Sequence, residues 1–405
     1  MIEKNTLSNG LRIVGERMPQ MHSVSIGVWV ATGSGYENRI NNGVSHFIEH
    51  MMFKGTKTKS VAQVASSIED IGGQLNAFTS RDCTCYYVKI LDSHIHIGLE
   101  LLSDIIQNSL IKEDDVNLER KVILEEISMY EDTPEELVQD MASEHVWKGN
   151  SMGYPILGTP KSLSGINREV ITDYMANHYT PSNSVIAISG NYPENVSELI
   201  NLYFGNWAVG AQIVRNRVGA KYKKFEQKIV KETEQSHLCI LYPGLSNGNK
   251  LIHSLIAMNN ILGGTMSSRL FQKNREEKGL VYSIYSYITS YNKEGLVSIY
   301  AGMNAANIDQ VKELIFEEIL QLRKTGLTDY ELYIAKEQLK SSLVFAMDSP
   351  ASTMSSIGKS EIIMGRVLTT EEVLIKINAI THDTVNEAIR LVFDENMAST
   401  ITLGK

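Results

Sequence analysis

Two stretches of the sequence repeat the same order of elements, and this repeat limits what the chain can fold into. Residues 166–190 and 380–404 each predict a helix, a break, a strand and a final glycine, at an offset of 214 positions. Leu118 and Leu332 lie in similar amphipathic patterns at the same offset. A unit of about 200 residues has the size of an ordinary domain. The repeat therefore predicts two similar α+β domains, related by internal duplication, that each combine a mainly antiparallel sheet with helices.

The predicted halves are joined by a polar stretch. Residues 208–224 carry several arginines and lysines and lack the regular hydrophobic spacing of a helix or a strand, which favours an interdomain linker. We therefore predict a first domain over residues 1–210 and a second domain over residues 220–405. Each is long enough to bury a core of its own.

The net charge and the hydropathy of the sequence limit the kinds of partner that the protein is expected to bind. The formal net charge is −9, which argues against nucleic acid, since phosphate binding needs concentrated lysine and arginine. No apolar run approaches the roughly 20 residues of a membrane-spanning helix. The N-terminal residues show neither an apolar nor an arginine-rich leader, and the three cysteines agree with a reducing compartment. We therefore expect a cytoplasmic protein with neither a nucleic-acid nor a membrane partner.

The segment from Val44 to Phe53 combines two histidines and a glutamate with apolar neighbours. In a helix, positions i and i+4 share a face, so His46 and His50 can offer two nitrogens to one ion, with Glu49 beside them. H-x-x-E-H is the inverted zincin pattern, in which the glutamate is the general base. The alternative is a buried helix whose histidines only satisfy hydrogen bonds in the core. Two histidines flanking a glutamate at this spacing favour the metal site.

Catalytic zinc uses three protein ligands, and the acidic helix predicted from Val116 to Met129 offers candidates for the third. Glu126 lies among apolar residues, where an unpaired carboxylate would be costly to bury. Glu119 is two turns earlier on the same face and can support the site from behind a ligand. The spacing does not exclude Glu125, and a solvated acidic face is the alternative for all three.

A glycine-led segment follows the second predicted helix. Residues 72–79 begin with two glycines and lead into a β-rich run at residues 83–90. An edge strand beside a metal-binding helix can pair with an extended peptide by strand addition. An ordinary hairpin explains the same pattern equally well. Cys83 and Cys85 are predicted to be small core residues of this strand.

Three motifs together resemble the pitrilysin family of zinc metallopeptidases. They are the His46 to His50 pattern, the spacing of Glu119 and Glu126, and the loop from Gly72 to Thr79. Within this family the chain is most similar to the processing-peptidase-like branch, which includes short bacterial members. The resemblance extends over nearly the whole chain.

The resemblance implies roles for single residues. Glu49 would take a proton from the attacking water and return it to the leaving amine, and Glu119 would support the site from behind the ligands. The implied ligands of a zinc ion, one per chain, are His46, His50 and Glu126. The implied positions that receive the substrate backbone are Asn76, Ala77 and Phe78.

In the second half, residues 255–265 take the place of the metal helix and contain no paired histidines. The resemblance implies that Arg275 and Tyr282 close over the substrate from this half. A guanidinium can hold a substrate carbonyl, and a phenol can stabilise the developing oxyanion. The residues alone favour a different interpretation, in which Arg275 is a surface charge and Tyr282 a core residue of a strand.

The sequence thus predicts a zinc-dependent endopeptidase that hydrolyses unfolded or presequence-like peptides inside an enclosed chamber. Acidic helices favour basic, extended substrates, and the resemblance implies a homodimer. One alternative is a non-catalytic scaffold subunit of the same fold, although such subunits usually lose the motif residues. Another is a catalytic subunit that needs a different partner chain. A hydrolase of non-peptide substrates would need a compact pocket in place of the edge strand.

Overall fold

The computed structural model describes residues 2–210 and 217–405, so residues 211–216 of the predicted linker lie outside the described range.

Two π-helical turns occur within the described residues, at Asn260–Gly264 and Gln272–Glu277. The strands are β1 Ile2–Thr6, β2 Arg12–Arg17, β3 Ser23–Val30, β4 Gln74–Thr79, β5 Thr84–Leu91, β6 Ser184–Gly190, β7 Glu226–Val230, β8 Ser236–Pro243, β9 Val281–Ser290, β10 Gly295–Met303 and β11 Ser399–Gly404. The α-helices are α1 Val44–Met51, α2 Val61–Glu69, α3 Ile95–Asn108, α4 Glu113–Glu131, α5 Pro134–Val146, α6 Pro160–Leu163, α7 Arg168–His178, α8 Val196–Phe204, α9 Ile252–Asn259, α10 Arg269–Phe271, α11 Ile308–Thr325, α12 Asp329–Met347, α13 Pro350–Met364, α14 Thr370–Asn378 and α15 His382–Val392.

The strands form two sheets. The first has the order β1-β2-β6-β3-β5-β4, and the second has the order β7-β11-β8-β10-β9. Each sheet contains one parallel pair, β2 with β6 and β7 with β11, and its other neighbours are antiparallel. Both sheets are therefore mainly antiparallel and are packed with helices, and the predicted α+β class is confirmed.

Each sheet belongs to one of two compact units. The first unit consists of Met1–Ile127, Tyr154–Val218 and Val344–Thr369, and the second consists of Ser128–Gly153, Gly219–Leu343 and Thr370–Lys405. Each unit thus includes a segment from the opposite half of the chain. The predicted boundaries, 1–210 and 220–405, concern the duplicated halves and stay a prediction.

The central strand β3 of the first sheet is buried on both faces. Along β3, the alternating residues Val24, Ile26 and Val28 belong to the main apolar core, which also contains residues of α1, α3 and α7. On the opposite face, Trp29 packs with Met354 of α13 in a smaller apolar cluster. Successive side chains of a strand point to opposite faces of the sheet, so β3 contributes side chains to both apolar clusters.

The close contact between α13 and the first sheet depends on glycine. A Cβ atom on Gly27 would lie 2.6 Å from the sulfur of Met354, and one on Gly358 would lie 2.2 Å from Nε1 of Trp29. The helix is also held by the buried Glu361. Its carboxylate accepts hydrogen bonds from Nζ of Lys4 at 2.6 Å and from Nη1 of Arg12 at 3.0 Å. The last two contacts join α13 to β1 and β2.

A helix from the other half of the chain covers the second sheet in the same way. α5 buries residues at intervals of four, which form one stripe on a helix. This stripe packs against Cys239 and Leu241 of β8. The stripe consists of Val138, Ala142 and Val146.

We expect Gly358→Ala to weaken the first unit. The added methyl group meets the ring of Trp29, which is fully buried and has no room to move. Overpacking of this kind costs about 1–3 kcal/mol, more than the gain in helix propensity of about 1 kcal/mol. Thermal unfolding measures the loss, and Gly248→Ala is the control because a Cβ there meets nothing within 4 Å. An unchanged midpoint for Gly358→Ala would contradict the proposed close packing.

Candidate metal centre

The position of α1 follows from its apolar residues. Phe47, Ile48 and Met51 are fully buried in the main core. This packing leaves His46 and His50 together on one side of the helix, with ring centroids 4.7 Å apart. The i, i+4 spacing of the two histidines predicts this arrangement.

α4 adds a carboxylate to the two imidazoles. Oε2 of Glu126 lies 3.8 Å from Nε2 of His46 and 3.5 Å from Nε2 of His50. Across residues 2–210 and 217–405, this is the one group of three such side chains whose ligand atoms all lie within 4.8 Å of one another. The structure thus brings together the three residues that the resemblance implies as ligands.

The structure buries Glu119 and leaves Glu126 partly exposed, the reverse of what the sequence argument predicts. The Glu126 side chain is 42% exposed, whereas the Glu119 side chain is 4% exposed. Glu125 is exposed and does not belong to the group. The apolar neighbours of Glu126 in sequence therefore do not enclose it, because one of them, Val122, is itself 44% exposed.

Glu119 is held between two partners. Its Oε2 lies 3.0 Å from Nδ1 of His50, and its Oε1 lies 2.5 Å from Nζ of Lys54. A carboxylate on one imidazole nitrogen fixes the tautomer and leaves the other nitrogen as the acceptor. Glu119 therefore turns Nε2 of His50 towards Glu126, as its implied supporting role requires.

The donor set suits a divalent transition metal. Two imidazole nitrogens and one carboxylate oxygen form a His2Glu set, which is characteristic of catalytic zinc. Burial and the neighbouring His50 lower the pKa of His46 to about 4, so its ring is neutral at neutral pH. Burial opposes charge on His50, but hydrogen bonds to Glu126 and Glu119 raise its pKa overall. When His50 is protonated, the hydrogen bond that it donates lowers the pKa of Glu126, which favours the ionised carboxylate.

Glu49 lies beside this group without being part of it. Its Oε2 accepts a hydrogen bond of 2.6 Å from the hydroxyl of Thr79 on β4. Burial raises the pKa of Glu49, although Thr79 and His50 oppose the rise. A carboxylate whose pKa is raised holds a proton more readily, as a general base needs.

β4 is the edge strand of the first sheet, next to α1. The backbone N–H of Ala77 donates a hydrogen bond of 2.8 Å to the side-chain oxygen of its own neighbour Asn76. Asn76 is exposed, and Phe78 packs edge-on against Trp29 at 5.5 Å. The N–H of Ala77 is thus bonded to a side chain that can rotate away.

Arg275 and Tyr282 lie in the second unit, in the π-helical turn 272–277 and in β9. The guanidinium of Arg275 lies 4.8 Å from the ring centroid of Phe271 and 5.8 Å from that of Tyr282. Tyr282 is 72% exposed, so it is not the core residue that its sequence position allows. The two residues contact each other as a cation–π pair, and their implied role towards substrate stays a prediction.

Two contacts of the site were not predicted from the sequence. Lys54 holds Glu119, and Thr79 holds Glu49. Lys54 lies three residues beyond the end of α1 at Met51, so helical spacing gives no signal for its contact with Glu119. Nothing in the local pattern of Thr79 indicates which carboxylate it contacts.

Comparison with known proteins agrees with this geometry. Residues 12–160 match the family described as insulinase, peptidase family M16, and residues 165–339 match the M16 inactive domain. YmxG of Bacillus subtilis, named an uncharacterized zinc protease, is 43% identical over 98% of this chain and 97% of its own length. The chain belongs to peptidase family M16. This confirms the resemblance to pitrilysin-type enzymes.

A further relative and two solved structures are similar to the chain over nearly its whole length. An uncharacterized zinc protease of Streptomyces coelicolor is 34% identical over 96% of this chain and 86% of its own length. A protease from Helicobacter pylori covers all of this chain and 99% of its own, with a TM-score of 0.94 at 20% identity. A chain of complex III2 from Candida albicans covers all of this chain and 96% of its own, with a TM-score of 0.87 at 20% identity. At these identities the two structures establish the fold alone. Within the described residues, no helix is both long enough and apolar enough to cross a membrane.

Proposed function

We propose that this M16 chain is a zinc-dependent endopeptidase that cleaves extended peptides. The observation that carries the proposal is the convergence of His46 and His50 of α1 with Glu126 of α4. Glu49 lies on α1 between the two histidines. The names of the M16 relatives, which include zinc protease, support the choice of metal. We propose one zinc ion per chain, held by these three residues.

Each side chain of the site would have a separate role in hydrolysis. Zinc, when bound, supplies Lewis acidity to the reacting carbonyl and to the attacking water. Glu49 takes a proton from that water at its free Oε1, while Oε2 stays bonded to Thr79. Glu49 then gives the proton to the amine that leaves. Glu119 keeps His50 in the tautomer that presents Nε2.

The edge strand β4 supplies the proposed binding surface for the peptide. Strand addition uses main-chain hydrogen bonds, so it accepts many sequences. The N–H of Ala77 becomes available to a substrate carbonyl when the side chain of Asn76 rotates. Thr79 lies on the same strand and bonds to Glu49. A peptide bound along Asn76, Ala77 and Phe78 would therefore run towards the general base.

Further parts of the proposal rest on the family resemblance. Arg275 would hold a substrate carbonyl, Tyr282 would stabilise the oxyanion, hydrolysis would take place inside an enclosed chamber, and two chains would pair as a homodimer. A non-catalytic scaffold subunit is the second candidate function, since part of the chain matches a domain described as inactive. That match covers residues 165–339, which exclude His46, His50 and Glu126, so we favour the enzyme.

Peptide cleavage tests the proposal directly. The purified chain is incubated with unstructured basic and neutral peptides, with and without chelator, and the products are identified by mass spectrometry. We expect cleavage that stops with chelator and returns with added zinc, with the basic peptides cut faster. Zinc-loaded protein that cuts none of the peptides would favour the scaffold function or a requirement for a different partner chain.

We expect Lys54→Met to lower zinc affinity about tenfold, because loss of a supporting partner of a ligand typically costs 10- to 100-fold. Without the lysine, His50 is the one partner that the buried Glu119 keeps within the described residues, so we expect its carboxylate to turn more freely. Competition with a chromogenic chelator measures the affinity. Lys59→Met is the control, since Lys59 pairs at 2.7 Å with Glu100 elsewhere on the first unit. Equal affinities for the two variants would show that Lys54 does not support the site.

A further inference from the structure

The N-terminus of α1 is capped from outside the helix. The N-cap residue is Gly43, which has φ of +92° and no side chain to close the first turn. The carboxylate of Glu37 takes over this task. Its Oε2 accepts the N–H of Gly43 at 2.7 Å, and its Oε1 accepts the N–H of Ser45 at 2.8 Å. Two of the backbone donors that a helix start leaves unsatisfied are thus bonded to one side chain.

The groups that hydrogen-bond to Glu37 all act as donors. Besides the two backbone groups, Nδ2 of Asn42 donates to Oε2 of Glu37 at 3.0 Å. Glu37 is 5% exposed, so water contributes little. Burial raises the pKa of Glu37, and the hydrogen bonds from Ser45, Gly43 and Asn42 oppose the rise. Only the ionised form can accept from every one of these donors at once, and a negative charge is favourable at a helix N-terminus.

The loop of residues 155–158 packs closely against the same turn. Nδ2 of Asn42 also lies 2.9 Å from the carbonyl oxygen of Pro155. A Cβ on Gly43 would lie 2.8 Å from the carbonyl oxygen of Leu157, and one on Gly158 would lie 2.7 Å from that of Asn42. The start of α1 therefore packs so closely against this loop that neither Gly43 nor Gly158 can be replaced without a shift of the backbone.

The two histidines differ in how they are held. Nδ1 of His50 is bonded to Glu119, whereas Nδ1 of His46 is buried and has no hydrogen-bond partner within the described residues. No side chain behind His46 fixes its ring. The position of His46 therefore depends on the packing and the backbone of the first turn of α1. His46 directly follows Ser45, whose N–H group is bonded to Glu37.

We infer that Glu37 is a positioning residue of the metal centre: by binding the N–H groups of Gly43 and Ser45, it sets the place of His46 as Glu119 sets that of His50. This inference rests on the proposed zinc site. It assigns a supporting carboxylate to each histidine, one through the imidazole and one through the helix backbone. Loss of such support corresponds to about a 10- to 100-fold loss in metal affinity.

The test compares two glutamates of equal burial. Glu37→Gln keeps the shape of the side chain but places an N–H2 group against backbone donors. Glu361→Gln is the control, because Glu361 is also 5% exposed in the first unit but bonds Lys4 and Arg12 under α13. Zinc affinity is measured by chelator competition, thermal stability by unfolding, and the opening of α1 by hydrogen exchange of peptides covering residues 43–52.

We expect Glu37→Gln to lose zinc affinity at least tenfold and to exchange faster in α1, while Glu361→Gln loses thermal stability but keeps both. Equal zinc affinity of Glu37→Gln and wild type would overturn the inference, as would a loss shared with Glu361→Gln in proportion to stability. If wild type itself binds no zinc, the proposed function fails instead, and the two failures are distinguishable. Should Glu37→Gln not fold, Asn42→Ala removes one donor to Glu37 and leaves the two backbone donors. It is expected to lose zinc affinity about threefold, less than the 10- to 100-fold loss of a whole supporting partner; an unchanged affinity would again overturn the inference.

Discussion

Glu49→Gln is expected to bind zinc like the wild type and to cleave peptides about 10²- to 10⁴-fold more slowly, the range that general acid–base catalysis contributes. The amide has the same shape as the carboxylate and can still accept the hydrogen bond from Thr79. It cannot take a proton from water. Because Glu49 is not in the group of potential ligands, metal content separates this effect from loss of the site. Zinc per chain and kcat/KM on one unstructured peptide are the two measurements.

Thr79→Val is the matched comparison for Glu49→Gln. It removes the hydrogen bond to Glu49 but leaves the carboxylate, so we expect a smaller loss of kcat/KM and an unchanged zinc content. Turnover at the wild-type rate by zinc-loaded Glu49→Gln would rule out Glu49 as the general base. A fall in zinc content in Glu49→Gln would instead make Glu49 part of the metal site.

Glu126→Gln is expected to lower zinc affinity by more than about 100-fold, and Glu119→Gln by about 10- to 100-fold. The first change removes a ligand oxygen that lies within 3.8 Å of both Nε2 atoms. The second leaves the three ligands in place but releases the ring of His50. Chelator competition at one pH measures both affinities.

Glu125→Gln is the control for both changes, because Glu125 is the neighbour of Glu126 on α4 yet is exposed and outside the group. We expect its zinc affinity to equal that of the wild type. Equal losses in Glu126→Gln and Glu119→Gln would show that the third ligand is misassigned. A loss in Glu125→Gln alone would move the third ligand to Glu125.

Much of the site follows from helical periodicity. The i, i+4 spacing is a local property, so His46 and His50 are predicted to meet whatever the rest of the chain does. The alternation along β3 likewise predicts a strand before any partner strand is known. The choice of Glu126 needed the family resemblance, because burial of the neighbouring residues, the physical argument available from the sequence, applies in the structure to Glu119 instead.

Contacts between residues distant in sequence were not predictable in the same way. Lys54 and Glu119 are 65 positions apart, and the pattern around each does not name the other. Nothing in the sequence around Glu37 distinguishes it from other charged residues of loops. In the structure α5 and α13 each bury one face against a sheet, but the sequence of each helix does not show which sheet it covers. Amphipathic patterns determine which side chains are buried, but the identity of the partner surface depends on tertiary packing.

The placement of α13 has a consequence for how the protein is made. The strands β1 to β6 have all been synthesised when residue 190 leaves the ribosome, but the helix that covers Trp29 follows only at residues 350–364. At ordinary rates of synthesis this leaves one face of the sheet open to water for roughly 10–30 s. During that interval the nascent first unit exposes an apolar face of its sheet. Chaperones have their best opportunity to bind in that interval, and a chain truncated before α13 would keep that surface permanently uncovered.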